Sequence, residues 1–259
     1  MTKKKAGFDT TGRVHHEGKK NENVTAQILN EKNVYPHEVE VRGGTKCLED
    51  AVAGDQKISI KHKAGITNGS FDWANLSSAV KDGLLGNTFD HFLSNMKELR
   101  QLPKSLRLDE EFRQKVDGSF KDLCELSLDS FTSDQVIEVL KRGIIERYLG
   151  VDVVINDSKI KELYKFAADQ HPIFDYITKG YSAVLTTTRA AKSSRMIHFV
   201  DADGNVYDCG LRIRVTSNNG IKAFLGVSTA NSNSQVVIKL QQDKVKNLIQ
   251  SAGAEVHSY

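Results

Sequence analysis

The 259-residue chain has few cysteines, prolines and tryptophans, with three, three and one of them. Its cysteines, Cys47, Cys124 and Cys209, are widely spaced and form no C-x-x-C pair, so neither a disulfide framework nor a zinc knuckle is predicted. No apolar run approaches the roughly 18 residues of a membrane span. The N-terminus has no apolar segment typical of a secretory signal. We therefore expect a cytoplasmic protein that does not enter a membrane.

Short signatures of common enzyme classes are also missing. The sequence has no G-x-x-x-x-G-K-[ST], G-x-G-x-x-G or G-x-S-x-G motif, which removes the usual markers of NTPases, dinucleotide-binding enzymes and hydrolases. His16-Glu17 does not continue to H-E-x-x-H because Lys20 stands at the second histidine position. The DADGN segment at 201–205 is predicted as a hairpin turn rather than a calcium loop, because Val206 occupies the obligatory glycine position. The formal net charge is only +3, which allows a polyanionic partner without requiring one.

Hydrophobic periodicity divides the chain into three parts. Residues 21–32 have helical spacing, and alternating strand patterns follow near residues 38–42, 48–53 and 56–63. Residues 76–180 read as a helical middle region, and residues 181–259 as a β-rich part that ends in a helix near residues 242–251. Asn219-Gly220 is predicted as a hairpin turn between strands. We expect an α/β (α+β) fold in a single elaborated domain, 1–259.

Gly54-Asp55 predicts a tight hairpin whose two strands bring chemistry-bearing residues together. A two-residue turn there pairs Ala53 with Gln56 and places Asp50 opposite Ser59. Strand alternation then puts Asp50, Ser59 and Lys61 on one face. A carboxylate that can hold Mg²⁺ would lie beside an ammonium group, and phosphodiester hydrolysis uses both.

The run GGTKCLEDAVAGDQKISIKHK resembles the Asp…(Glu/Asp)-x-Lys core of the restriction-endonuclease-like PD-(D/E)XK nucleases. Asp50 matches the first aspartate of that motif and Lys61 its lysine. Ser59 departs from the pattern, because the family has an acidic residue two positions before the lysine. The order of one helix and then three strands, over residues 15–75, also resembles the start of the family's core with its three-stranded mixed sheet.

The resemblance implies a Mg²⁺-dependent endonuclease that cuts double-stranded DNA to leave 5′-phosphate ends, as type II restriction enzymes do, and that acts as a homodimer if both strands are cut. In this hypothesis Asp50 holds the metal, Lys61 positions the attacking water and Ser59 adds a polar contact. Glu22, in the first helix, is the preferred second carboxylate, with Glu49 and Glu40 as substitutes. Homing, repair and junction-resolving nucleases remain alternatives.

Basic residues outside the motif are candidates for DNA binding. Arg212 and Arg214 share one face of a C-terminal strand, which could follow a DNA backbone or read guanines. The full set of DNA-binding candidates is Lys46, Lys63, Arg189, Arg195, Arg212, Arg214 and Lys222. A solvated sheet face explains the C-terminal cations equally well. Trp73 is predicted to fill the core rather than to stack on a base.

Two rival functions stay open. The chain could be a catalytically inactive DNA-binding protein on the same scaffold, with Ser59 marking a lost site, or a protein-interaction domain with no nucleic-acid role. Asp50 could also cap a turn, and Lys61 and Lys63 could be the outward charges of an edge strand.

Overall fold

The computed structural model describes residues 13–42, 49–63, 70–75, 95, 98–187, 192–217, 220–227 and 234–259. These form a mixed α+β fold with two sheets. The strands of the mixed sheet, in chain order, are β1 (Val39–Val41), β2 (Ala51–Ala53), β3 (Gln56–Lys63), β5 (Val151–Asp157), β6 (Glu162–Ala167) and β11 (Glu255–Ser258). Neighbours in that sheet follow the order β1-β2-β3-β5-β6-β11. Only the β3–β5 pair among them is parallel.

The second sheet is antiparallel throughout its described strands. Its members are β4 (Ser70–Asn75), β7 (Ser182–Thr187), β8 (Ser194–Val200), β9 (Val206–Ser217) and β10 (Ser234–Gln241). Their order across the sheet is β4-β10-β9-β8-β7, so β4, which follows β3 in the chain, lies beside a strand from the C-terminal part.

Helices precede the first sheet, connect the two sheets and follow β10. They are α1 (Arg13–Glu31), α2 (Lys104–Leu108), α3 (Glu110–Asp129), α4 (Ser133–Leu140), α5 (Glu146–Tyr148), α6 (Ile173–Thr178), α7 (Gly220–Phe224) and α8 (Gln242–Ser251), with a π-helical turn at Lys141–Ile145 and a 3₁₀ turn at Ala168–Gln170. None of the helices in the described part of the chain has the length and apolar content of a membrane span.

Side-chain caps explain where two of the connecting helices begin. The Asp109 carboxylate accepts a hydrogen bond from the Phe112 amide at the start of α3. Thr132 and Gln135 form a reciprocal capping box at the start of α4. Each cap satisfies amide groups that have no partner within the helix.

Two apolar clusters hold the layers together. On one face of the mixed sheet, Ala26 and Leu29 of α1 pack with Ile58 and Ile60 of β3. The other cluster is larger and contains buried residues from both sheets and from the connecting helices, such as Val153, Phe166, Ile197 and Leu211. Trp73 belongs to this larger cluster and is 1% exposed, which confirms its predicted core position.

The structure corrects three sequence-based assignments. Residues 151–157 and 162–167 fall in the region predicted to be helical, yet they form β5 and β6 at the centre of the mixed sheet. The predicted strand after Asn219-Gly220 is instead the short helix α7. β11 was not predicted. The terminal helix was predicted correctly.

The buried ring of His171 makes the stability of the folded protein depend on pH. It is fully buried against Trp73, with ring centroids 4.9 Å apart, and burial lowers its pKa from 6.5 to about 3. The folded protein thus keeps this ring neutral, whereas the unfolded chain binds a proton once the pH falls below 6.5. Stability that is present above pH 6.5 is therefore lost as the pH falls towards 3.

We expect the free energy of unfolding to fall by about 2–3 kcal/mol more between about pH 7 and pH 4.5 in the wild type than in His171→Gln. Urea denaturation at both pH values, followed by Trp73 fluorescence, measures the difference. His37→Gln serves as the control for the loss of an imidazole, because the His37 side chain is exposed. Equal pH dependence in wild type and His171→Gln would contradict the assignment.

Candidate active site

The β2–β3 hairpin has the predicted register. Ala53 pairs with Gln56 and Ala51 with Ile58, where the ladder ends. The Asp50 amide donates to the Ile58 carbonyl, so Asp50 meets Ser59 through its side chain and not as a ladder pair. Gly54 has a φ of +61°, a conformation that residues with a side chain rarely adopt. A Cβ atom at this position would also lie 2.8 Å from Cδ2 of His37. The sequence at the turn therefore determines which residues meet at the open end of the hairpin.

Asp50 joins the end of β2 to β3 through both its main chain and its side chain. Its amide donates to the Ile58 carbonyl at 2.9 Å. Its Oδ2 accepts hydrogen bonds from the Ile60 amide at 2.7 Å and from the Ser59 hydroxyl at 3.3 Å. The carboxylate thus takes the place of a main-chain acceptor for the Ile60 amide of β3, beyond the end of β2. Ser59 is fully buried.

Lys61 lies on the same face of β3 as Ser59, two residues further along. Ile58 and Ile60 pack with α1 on the opposite face. The Lys61 side chain is half-buried, and its ammonium stands 5.9 Å from the centre of the Tyr148 ring. The Tyr148 hydroxyl donates to the Trp73 carbonyl at 2.5 Å, which fixes the ring beneath the lysine. Ser59 and Lys61 therefore share one face of β3, and Asp50 reaches Ser59 through a side-chain hydrogen bond. That the three residues act together as a site stays a prediction.

Glu22 lies in a different place from these three residues. It is half-buried in α1, one turn before Thr25 and Ala26, on the helix that packs against the Ile58 face. The structure therefore places Glu22 on the far side of the sheet from Ser59. Glu40, one of the substitutes, pairs with Val52 in the β1–β2 ladder and so shares the face of Asp50.

The donor set suits a sparsely coordinated hard cation rather than a closed metal cage. Within the described residues there is no group of three or more His, Cys, Asp or Glu that could hold a metal ion. Mg²⁺ retains several waters and needs only one or two protein carboxylates. Asp50, with Glu40 on the same face, meets that minimum, and a carboxylate next to a hydroxyl is a fitting donor chemistry for Mg²⁺.

The other DNA-binding candidates lie in different parts of the structure. Arg212 and Arg214 share a face of β9, since they pair with Lys239 and Val237 of β10, and both are half-buried. Lys222 is exposed on α7. Lys46 and Arg189 lie outside the described residues, and Lys63 ends β3 opposite Asp157 of β5.

Arg195 is a correction to the sequence-based prediction. Its guanidinium is 3% exposed and lies 2.7 Å from the carboxylate of Asp129, the last residue of α3. It also donates to the carbonyls of Lys192 and Ser194 at 3.1 and 3.0 Å. These contacts hold β8 to α3, so the side chain is not available to DNA.

One charged cluster was not predicted from the sequence because β5 was assigned to the helical region. Asp157 ends β5 with its side chain 1% exposed, and its Oδ2 lies 2.7 Å from the Lys246 ammonium of α8. Lys246 also stands 4.7 Å from the centre of the Tyr164 ring. The four β-branched residues within VDVVIND were the available signal for a strand at this position, because β-branched enrichment favours a strand where periodicity does not decide.

The turn at Asp201 agrees with the predicted hairpin and leaves no calcium loop. Hydrogen bonds from the Asn205 side chain and the Tyr207 hydroxyl, together with main-chain amides, lower the pKa of Asp201 to about 2. Both carboxylate oxygens already accept hydrogen bonds from the turn itself. The DADGN segment therefore connects β8 to β9 as a tight turn.

Comparison of the chain with protein-family models, with curated proteins and with solved structures gave no match. Its function is therefore inferred from the residues and their geometry.

Proposed function

We propose that this chain is a Mg²⁺-dependent endonuclease of the restriction-endonuclease-like class, acting on double-stranded DNA. One observation carries the proposal. The side chains of Ser59 and Lys61 occupy the same face of β3, and the carboxylate of Asp50, at the end of β2, accepts a hydrogen bond of 3.3 Å from the Ser59 hydroxyl.

The surrounding topology supports the same class. α1 is followed by the three antiparallel strands β1, β2 and β3, and the parallel strand β5 makes the sheet mixed. The resemblance implied one helix followed by a three-stranded mixed sheet. The order of one helix and three strands supports that part of the proposal, whereas β1, β2 and β3 are antiparallel and the parallel pairing comes only with β5.

Each residue has a defined task in the proposed reaction. Asp50 would hold Mg²⁺, with Glu40 as the second carboxylate, because α1, which carries Glu22, packs on the Ile58 and Ile60 face of β3. When bound, Mg²⁺ polarises the phosphate and lowers the pKa of a coordinated water. Lys61 offers a proton donor and a positive charge that stabilise the developing negative charge on the phosphate. Ser59 holds the Asp50 carboxylate in orientation.

A second candidate is a DNA-binding protein without catalysis. Oδ2 of Asp50 is already used as the acceptor for the Ile60 amide and the Ser59 hydroxyl, which is the behaviour of a structural cap. A buried serine also stands where the motif has a second carboxylate. This candidate predicts salt-sensitive DNA binding without cleavage.

Incubation of the purified chain with supercoiled plasmid DNA, with Mg²⁺ or with excess EDTA, separates the two candidates. The nuclease proposal predicts nicked or linear product with Mg²⁺ alone, and 5′-phosphate ends that a ligase can rejoin. Sequencing of the ends reports any site preference, and sedimentation shows whether a dimer forms. Binding of the plasmid with no cleavage over a panel of divalent cations would favour the non-catalytic candidate.

A further inference from the structure

Arg42 lies beside the proposed site, although the motif does not include it. Its amide donates to the Asp50 carbonyl at 3.1 Å at the end of the β1–β2 ladder. Directly opposed residues of antiparallel strands project from the same face of a sheet. Glu40 pairs with Val52, and Val52 pairs with Lys57. Arg42 follows Glu40 by two residues and therefore shares the face of Lys57, Ser59 and Lys61, and its side chain is exposed.

The Asp50 carboxylate does not neutralise Arg42. Its Oδ2 is bonded to the Ile60 amide and the Ser59 hydroxyl of β3, on the side away from β1. Within the parts of the chain that the structure describes, Arg42 makes no ion pair with a carboxylate. A cation thus stands next to a carboxylate that is held by other donors.

Lys57 adds a third positive charge to this face. It precedes Ser59 by two residues in β3, which places it on the same side of the strand as Ser59 and Lys61. Its side chain is exposed. Neither Lys57 nor Lys61 forms an ion pair with a carboxylate of the described ranges. We call Arg42, Lys57 and Lys61 together the cationic face.

We infer that the cationic face binds phosphate groups of a nucleic-acid backbone and holds the strand across Asp50. Residues two apart on a strand repeat about every 6.6 Å, so Lys57 and Lys61 are roughly 13 Å apart along β3. Arg42 stands two strands away, at about 10 Å. A single phosphate ion cannot span these distances, whereas successive phosphates of one polymer can. The guanidinium of Arg42 also suits bidentate contact with a phosphate.

This inference rests on the proposed function for its substrate, and its test measures binding separately from cleavage. The test uses fluorescence anisotropy of a labelled duplex of about 20 base pairs in EDTA over a series of NaCl concentrations. We expect Arg42→Ala and Lys57→Ala each to weaken binding about fivefold to tenfold and to reduce the salt slope by about 1. Arg42→Lys should retain the salt slope. Inorganic phosphate, added as competitor at constant ionic strength, should not displace the duplex.

Lys104→Ala is the matched control, because it removes an exposed cation from α2, outside the mixed sheet. Wild-type affinity and slope in Arg42→Ala, or equal losses in Lys104→Ala, would overturn the inference, as would absence of duplex binding by the wild type. Displacement of the duplex by inorganic phosphate would also overturn it, since it would show a small-anion site instead.

The same measurements keep the cationic face and the nuclease proposal apart. If the wild type does not cut plasmid but Arg42→Ala still binds the duplex more weakly, the cationic face stands and the nuclease proposal fails. If the wild type cuts plasmid and Arg42→Ala binds the duplex as tightly as the wild type does, the nuclease proposal stands and the cationic face is overturned.

Discussion

Asp50→Asn is expected to lower the rate of Mg²⁺-dependent plasmid cleavage by about 10²- to 10³-fold while leaving the fold intact. The asparagine side chain has the shape of the aspartate side chain and keeps one oxygen as an acceptor. That oxygen can replace Oδ2, which in the wild type accepts from the main-chain amide of Ile60 at 2.7 Å. The asparagine side chain lacks the negative charge that a Mg²⁺ ligand needs. Lys61→Met should cause a loss of similar size, because it removes the ammonium and nearly keeps the length of the side chain.

Asp50→Ala distinguishes the two roles of this residue. It removes the metal ligand and also leaves the Ile60 amide without its acceptor, so we expect the same loss of cleavage and about 1–2 kcal/mol of lost stability. Cleavage is measured from the initial rate of nicking, and stability from urea denaturation. Asp55→Asn is the control, since Asp55 is an exposed carboxylate in the turn of the same hairpin. Wild-type cleavage by Asp50→Asn would show that Asp50 is only a structural cap.

The hairpin was predictable from sequence because its information is local. Gly54-Asp55 determines a two-residue turn, and the turn sets the register as far as Ala51 and Ile58, which brings the next residue, Asp50, within side-chain reach of Ser59. The alternation of Ile58, Ser59, Ile60 and Lys61 then separates the face that packs on α1 from the face that carries Ser59 and Lys61. No contact with a distant segment is needed for this part of the site.

The remainder of the site depends on contacts between distant segments. β5 pairs with β3 in parallel, which requires the long connection through the helices. A short apolar run such as VDVVIND fits a buried helix or a buried strand equally well by periodicity. Tyr148, the residue beneath Lys61, ends the helix just before β5 and reaches the site only after that pairing has formed. The position of Glu22 relative to Asp50 could not be predicted for the same reason. Helical spacing does not reveal which face of the sheet α1 covers.

The prediction that Arg195 binds DNA is wrong, although the alternation of buried residues in its strand indicates a buried position. In β8, Arg195 lies on the same face as Ile197 and Phe199, which follow it by two and four residues. Both are fully buried, so Arg195 belongs to the inner face of the strand. The residue type alone predicts an exposed side chain instead, because arginine is seldom buried unless it is paired. Its partner, Asp129, is 66 residues away in sequence and was not identifiable by spacing.

We expect Arg195→Ala to lower the free energy of unfolding by about 3 kcal/mol, a large share of the roughly 5–15 kcal/mol of a typical domain. The substitution removes a guanidinium that is 3% exposed, its ion pair with Asp129 and its hydrogen bonds to two main-chain carbonyls. Asp129 is 54% exposed, so water can solvate its carboxylate in the variant and the loss stays at the lower end for a buried pair. Urea denaturation at about pH 7 measures the change.

Lys192→Ala is the matched comparison, because the two cations contact the same helix from neighbouring positions. Its ammonium lies 2.7 Å from Asp122 but is 56% exposed, and solvent screening leaves such an exposed ion pair little effect on stability. Arg195→Ala should therefore destabilise the protein well beyond Lys192→Ala, while its affinity for duplex DNA, measured where both variants are folded, should equal that of the wild type. Equal destabilisation by the two substitutions, combined with weaker DNA binding by Arg195→Ala, would restore the prediction that Arg195 contacts DNA, because a side chain that only holds β8 to α3 cannot produce that pair of results.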